Sequence, residues 1–377
     1  MKKRGLAAVS ALALVLAACG GGGGGESSGT ASTTGSSNTG AGKGTSGTGG
    51  TSGTGGSDST STTNPTPSSA ISLLTPAGAS AATGTTTGDV INDSFAYMNV
   101  KRAELGLTPL KYVSAVGVAA ANHARYMQSA GAVGHYEVAG QPNYTGVTPA
   151  DRVAAAGYRT SSAGEIAAGF GGSFASSTQA VDALFDAPFH RAIFLFDTSG
   201  VGIGQTPTTD PAKYSTFVAD FVDYVASTPD GKLVAYPYDG QTNVKPSWLA
   251  NESPNPMARA PQYILKTVGY PVTLSASGNG AFSSVKFAIT DASGNAVACE
   301  ETDNSNNAES ARLAMCVPYQ PLSANAAYKV TVTGALTNTS ITTPTAFSVS
   351  WSFTTAPAGA AATTKAPDRS RLPAVLD

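Results

Sequence analysis

The 377-residue chain holds only three histidines, His123, His135 and His190, all inside one stretch. Two stand in short polar settings, Gly134-His135-Tyr136-Glu137 and Pro188-Phe189-His190-Arg191, with Gly164-Glu165-Ile166 between them. Charged residues make up 12% of the chain, about half the usual quarter. Histidine and glutamate clustered in so uncharged a sequence point to a shared site. Imidazole beside carboxylate supports metal ligation, an acid/base pair or a buried structural hydrogen bond.

Helices must carry most of these groups. Ile91, Phe95, Met98 and Leu105 recur at helical spacing over 89–105, and Val116, Ala120, His123 or Ala124, and Met127 do so over 114–130. Thr148-Pro149-Ala150-Asp151 is a helix start, with a hydroxyl cap, proline in the first turn and an acid near the positive end. A further helix is predicted over 177–186, with Pro188 marking a break. Short β-like runs at 158–160, 201–205 and 216–222 complete an α+β pattern.

Motifs in order then resemble one family. Met98-Asn99-Val100-Lys101-Arg102 with Gly106-Leu107-Thr108-Pro109-Leu110 opens the series. It continues through Ala121-Asn122-His123-Ala124-Arg125-Tyr126-Met127, Gly134-His135, Thr145 to Arg152 and Ala156-Gly157-Tyr158. Gly164-Glu165-Ile166, Ala187-Pro188-Phe189-His190-Arg191 and Val201-Gly202-Ile203-Gly204 close it. The series resembles bacterial CAP domains, the SCP-like superfamily of cysteine-rich secretory, antigen 5 and pathogenesis-related proteins. The resemblance implies a three-layer α-β-α sandwich with a cleft lined by His and Glu.

In the family's secreted eukaryotic members the cleft carries two His and two Glu, sometimes with zinc. His135 and Glu165 match one of each. No Glu stands near Asp186 and Ala187, no His follows His190, and Ile166 replaces the family's Asn. The metal expectation is therefore a rearranged set, His135, Glu165 and His190, three ligands with the open position that catalytic zinc requires. Against it stand structural readings. His123 lies on an apolar helix stripe and reads as packing, and Glu137 reads as a solvated loop charge. His135 with Glu165 reads as a structural hydrogen bond or as a functional pair. His190 reads as orienting the loop after a helix or as catalytic. Asn99 and Arg102, one turn apart, read as internal partners for backbone or carboxylate, and Asp151-Arg152 as capping. No Gly-x-Ser-x-Gly elbow, His-Glu-x-x-His or phosphate loop occurs in the folded region.

The amino terminus sets the compartment. Lys2, Lys3 and Arg4 precede an apolar run, Leu6 to Leu16, too short to span a bilayer permanently. Leu16-Ala17-Ala18-Cys19 resembles the bacterial lipobox, which implies cleavage after residue 18, lipidation of Cys19 and a membrane anchor. Gly20 after the cysteine favours an outer membrane or cell-surface/periplasmic position. Residues 19–88 are rich in Gly, Ser and Thr and read as a disordered tether, with a root-mean-square reach of roughly 45 Å. Cys299 and Cys316 remain, and in an oxidising space they are predicted to pair. Net charge is −2 with no basic cluster, so nucleic acid is not an expected partner.

Beyond the CAP-like region (89–228), strands with period-two alternation are predicted at 271–275, 285–290, 327–333 and 347–354. They resemble a bacterial Ig-like β-sandwich over 232–356, followed by a disordered tail at 357–377. The combined expectation is an anchored extracytoplasmic protein that binds a lipid, glycan, wall component or protein partner through the CAP cleft. A peptidase-like hydrolase using His135, Glu165 and His190 is the alternative, and a purely structural or adhesive surface protein is the third.

Overall fold

The computed structural model describes residues 66–80, 84–358 and 371–377. The expected signal sequence 1–18, the expected lipidation site Cys19 and the expected tether up to residue 65 lie outside the described residues. In chain order come β1 (Ser72–Leu73), α1 (Val90–Glu104), β2 (Lys111–Tyr112), α2 (Ser114–Ala130), α3 (Pro149–Ala155) and β3 (Ala163–Gly171). Next are α4 (Gln179–Asp186), α5 (Pro188–Phe194), β4 (Thr198–Thr206) and β5 (Tyr214–Tyr224). The all-β half runs β6 (Lys232–Tyr236), β7 (Gln241–Val244), β8 (Ser247–Leu249), β9 (Thr267–Gly269) and β10 (Val272–Ala276). It ends with β11 (Ala281–Asp291), β12 (Cys299–Thr302), β13 (Leu313–Pro318), β14 (Ala327–Asn338), β15 (Ile341–Thr355) and β16 (Val375–Leu376).

The first sheet has strand order β16-β3-β5-β4-β2. Because strand side chains alternate between faces, Ile166 and Ala168 of β3 and Phe217, Ala219 and Phe221 of β5 join the core built on α1, α4 and α5. Ala167, Val218 and Val222 face the other way, onto α2 and α3. Helices thus cover both faces, and the fold is α+β. On the α2 side the approach is very close. A Cβ on Gly204 would lie 2.1 Å from the Ala121 nitrogen, and one on Gly202 2.1 Å from that of Gly117. The Val-Gly-Ile-Gly motif is therefore a packing device: branched residues on one face, and bare backbone where α2 passes.

α1 and α2 form where the apolar spacing predicts. Two elements differ from expectation. Strand β3 begins at Ala163, after the run predicted at 158–160, because its Ala/Gly-rich sequence has little intrinsic strand preference and is held by pairing with β5. Pro188 does not simply break the chain. It ends α4 and occupies the first turn of α5, where its missing N–H costs nothing.

The all-β half forms a five-stranded sheet, β1-β6-β10-β13-β12, and a four-stranded sheet, β11-β14-β15-β7. The Cys299–Cys316 disulfide links β12 to β13. One buried apolar cluster runs from Met98, Ile166 and Phe185 through Leu274 and Met315 to Phe353, so the two halves share a core. Both expected flexible ends contribute to it in part. Ser72–Leu73, assigned above to the tether, pairs in parallel with β6. Val375–Leu376, assigned to the disordered tail, pairs antiparallel with β3. Ile71, just before the first stretch, and Leu376, in the second, lie in the core, and burial of such side chains, worth about 1.5–3 kcal/mol each, offsets the ordering entropy.

Candidate functional site

Five segments bring polar side chains to the α2-facing side of β3 and β5. Alternation puts Glu165 and Asp220 there, directly paired across the ladder. α2 supplies His123, the following loop His135 and Glu137, and α3 Arg152. The Thr148 capping box, with Asp151 returning a hydrogen bond, starts α3 at the point that turns Arg152 inward.

Glu165 is the hub. Its Oε1 lies 2.8 Å from His135 Nδ1 and 3.6 Å from His123 Nε2, and its Oε2 accepts from Arg152 Nη2 at 2.5 Å. Arg152 Nη1 also donates to the His135 carbonyl at 3.0 Å. Glu137 accepts from the Thr145 N–H at 2.5 Å and the Gly146 N–H at 3.2 Å, and faces His123 Nδ1 at 3.0 Å. His123 Nε2 sits 2.7 Å from the Gly134 carbonyl. Both ring nitrogens of His123 therefore face acceptors.

Two readings of single residues are corrected. His123 is buried as expected for packing, but it is a hydrogen-bonded member of the network. Glu137 is not a solvated loop charge. It is buried, and the loop at 145–146 supplies amide donors to it.

Burial penalises the Glu165 carboxylate, yet His123, Arg152 and His135 outweigh that and hold its pKa well below the usual range. Burial also works against a charged His135, but the Glu165 hydrogen bond and the Glu165 and Asp377 charges raise its pKa above the ordinary imidazole value. Asp220 is fully buried beside Glu165, and burial followed by the Glu165 charge pushes its pKa far up. Neither Asp220 oxygen has a donor. Protonated, Asp220 becomes a donor itself, with Glu165 as its acceptor. Of this network only His135 reaches solvent appreciably, its side chain 29% exposed. With Nδ1 committed to Glu165, its Nε2 points outward and lies 3.6 Å from Asp377 Oδ1.

His190 does not join this group. Glu252 Oε1 accepts from the His190 backbone N–H at 2.8 Å and faces its ring Nδ1 at 2.7 Å. That amide is one of the unpaired donors in the first turn of α5, so a carboxylate from the all-β half caps the helix and fixes the ring. Arg191 clamps the same junction, donating to the carbonyls of Phe185, Asp186 and Pro271 and stacking on Tyr236 and Tyr270. The expected ligand set His135, Glu165 and His190 is thus split. The Glu165 oxygens are already held by His135 and Arg152, and His190 by Glu252. Among the described residues no three His, Cys, Asp or Glu side chains are disposed to hold a metal, and this donor set does not fit a zinc ion.

Asn99 and Arg102 lie away from the cleft and bind backbone. Asn99 exchanges hydrogen bonds with both the N–H and the carbonyl of Leu110. Arg102 donates to the carbonyls of Thr108, Phe194 and Phe196. Sequence reasoning did not single out Asp220, Glu252 or Asp377. Asp220 had a signal, a lone acid in the apolar run Phe217-Val218-Ala219-Asp220-Phe221-Val222. The other two had none.

The family model described as the cysteine-rich secretory protein family, CAP, matches residues 95–221. The chain carries a CAP domain. The CAP domain extends from α1 to within β5, so it includes His123, His135, Glu137, Arg152, Glu165, His190 and Asp220, but neither Glu252 nor Asp377. Comparison with curated proteins gives no match. Among solved structures, an extracellular protein containing an SCP domain from Bacillus anthracis is 20% identical with a TM-score of 0.28, over 37% of this chain and 45% of that one. The chain thus spans less than half of that structure. An outer surface protein from Borrelia burgdorferi is also 20% identical with a TM-score of 0.28, over 35% of this chain and 90% of that one. CopC from Methylosinus trichosporium is 15% identical with a TM-score of 0.22, over 33% of this chain and 93% of that one. The buried His/Glu/Arg cluster of the CAP domain has the make-up of a ligand-binding or catalytic site.

Proposed function

We propose that the chain is a lipid-anchored extracytoplasmic protein whose CAP domain binds a lipid, glycan, cell-wall component or protein partner at the His135 cleft. The observation that carries this reading is the contrast within the network. Its buried members are committed to one another, whereas His135 alone offers a nitrogen outward from an orientation locked by Glu165. Such a preorganised donor or acceptor at the edge of a buried charge cluster suits recognition of a polar group on a ligand. The lipobox-like Leu16-Ala17-Ala18-Cys19 supports the anchor, and the period-two strands of residues 232–356 support an Ig-like module as its spacer.

A hydrolytic reading has one observation in its favour. A histidine whose Nδ1 is held by a buried carboxylate, with Nε2 turned outward, is arranged as a general base. Among the described residues no serine, threonine or cysteine side chain is hydrogen-bonded to that Nε2, so binding is the better supported function.

The test is titration of the full chain with a fluorescent fatty acid and, separately, with soluble peptidoglycan fragments, for the parent and His135→Ala. Saturable binding that weakens about tenfold or more in His135→Ala, with melting unchanged, supports the cleft. Equal binding in both proteins overturns it. Release of peptidoglycan-derived products by the parent alone selects the hydrolytic reading.

A further inference from the structure

We propose that the side of β3 opposite β5 is a β-addition site for an extended peptide carrying an apolar residue followed by an acidic one, and that Leu372–Asp377 of this chain occupies it. The inference rests on reading the His135 cleft as a binding site. It adds the chemical class of a ligand and a resident competitor for it.

The segment is held as a peptide ligand would be. Val375 and Leu376 pair with Gly169 and Ala168, and Asp377 exchanges both backbone hydrogen bonds with Ala167, at 2.8 and 2.9 Å. On its other side the Ser253 N–H donates to the Leu376 carbonyl at 2.9 Å, and Leu376 bridges Glu252 in parallel. Main-chain bonds of this kind supply affinity in strand addition, and alternate side-chain pockets supply specificity. Two side-chain positions of the segment are recognised in this way. Leu376 is 2% exposed and belongs to the shared core. Asp377 meets His135, the exposed imidazole of the network.

The wall of the groove is shaped for this strand. A Cβ on Gly171 would lie 2.5 Å from the Leu372 nitrogen and 2.6 Å from its oxygen. The backbone at 171 is not in the left-handed region, so the local chain conformation does not call for glycine. The close passage of the segment does. The groove also lies between the two histidine–glutamate pairs His135–Glu165, at Asp377, and His190–Glu252, beside Leu376. Without the segment, β3 would present an unpaired edge, the usual template for an added strand.

The experiment uses the full chain carrying Leu376→Lys and Asp377→Lys, which weaken the resident segment and leave the groove intact. The probe is a fluorescent peptide of sequence Arg-Leu-Pro-Ala-Val-Leu-Asp with an amidated end, so that recognition reads the aspartate side chain. Saturable binding to the doubly substituted chain is expected, about tenfold or more weaker to the parent and to the same variant bearing His135→Ala. A variant with the parent's near-ultraviolet circular dichroism that fails to bind the peptide overturns the proposal. Should the variant not fold, the parent and Asp377→Asn are compared by NMR titration of His135. A fall in its pKa on substitution supports the contact, and an unchanged value overturns it. The peptide reads the groove and the fatty acid and peptidoglycan titrations read the cleft, so loss of one with retention of the other shows which reading failed.

Discussion

Glu165 and Asp220 face each other across the β3–β5 ladder, two carboxyl groups at directly paired positions on one buried sheet face. Like charges directly opposite on a sheet repel, and the environment resolves the conflict by making the two unequal. Glu165 receives His135 and Arg152 and stays ionised. Asp220 receives no donor and keeps its proton.

Asp220→Asn is therefore expected to stabilise the fold near neutral pH. The folded pKa of Asp220 is raised above its unfolded value, so the folded state holds the extra proton and stability falls as pH rises from the unfolded pKa toward the folded one. Asparagine removes that dependence while keeping shape and a donor for Glu165. Thermal unfolding at pH 7 should show a rise of about 2–4 °C, the shift expected for 1 kcal/mol. A lower melting temperature would mean that Asp220 is ionised and needed as such.

Glu165→Gln should be strongly destabilising. It removes the carboxylate charge paired with the fully buried Arg152, and breaking a buried ion pair costs about 3–5 kcal/mol. Urea unfolding measures the loss. Arg152→Met alone should cost a similar amount, and the double variant less than the sum, because the two act as one unit.

The His135–Glu165 pair predicts a bounded pH window. The His135 pKa is raised, so its stabilising contribution is complete below the unfolded imidazole value and disappears as pH rises through the folded one. The Glu165 pKa is lowered, so its contribution is present above the unfolded carboxylate value and disappears as pH falls through the folded one. NMR titration should place His135 above the ordinary 6.5, and ligand binding that needs a charged imidazole should weaken at alkaline pH. Affinity that stays constant from about pH 6 to about pH 9, a range spanning the ordinary imidazole pKa, would show that the charge on His135 plays no part.

Glu252→Ala tests the junction between the two halves. It removes the acceptor shared by the His190 amide and ring, and leaving buried donors unpaired costs about 1–3 kcal/mol. Hydrogen exchange should accelerate at the start of α5 while β3 and β5 keep their protection.

Much of the α+β half was legible along the chain. Helix spacing located α1 and α2, turn chemistry located the start of α3, and the ordered motifs located the CAP domain. The disulfide followed from compartment and count. β3 was harder, since its small residues state no preference, and α5 was hidden because a proline that ends one helix can begin the next.

The site divides along the same line. Residue types in order nominated His135 and Glu165 and suggested His190 as their partner, because local pattern records which groups exist and not which way they point. Contact between them depends on sheet register, on the loop at 145–146 and on strands remote in sequence. Register put Asp220 opposite Glu165. Folding of the all-β half onto α5 gave His190 to Glu252, and the return of residues 371–377 laid Asp377 against His135. Residue types in order mark the CAP-like domain and its candidate groups. Their pairing is set by the folded chain, because long-range contacts set burial, and burial sets which charges must find partners.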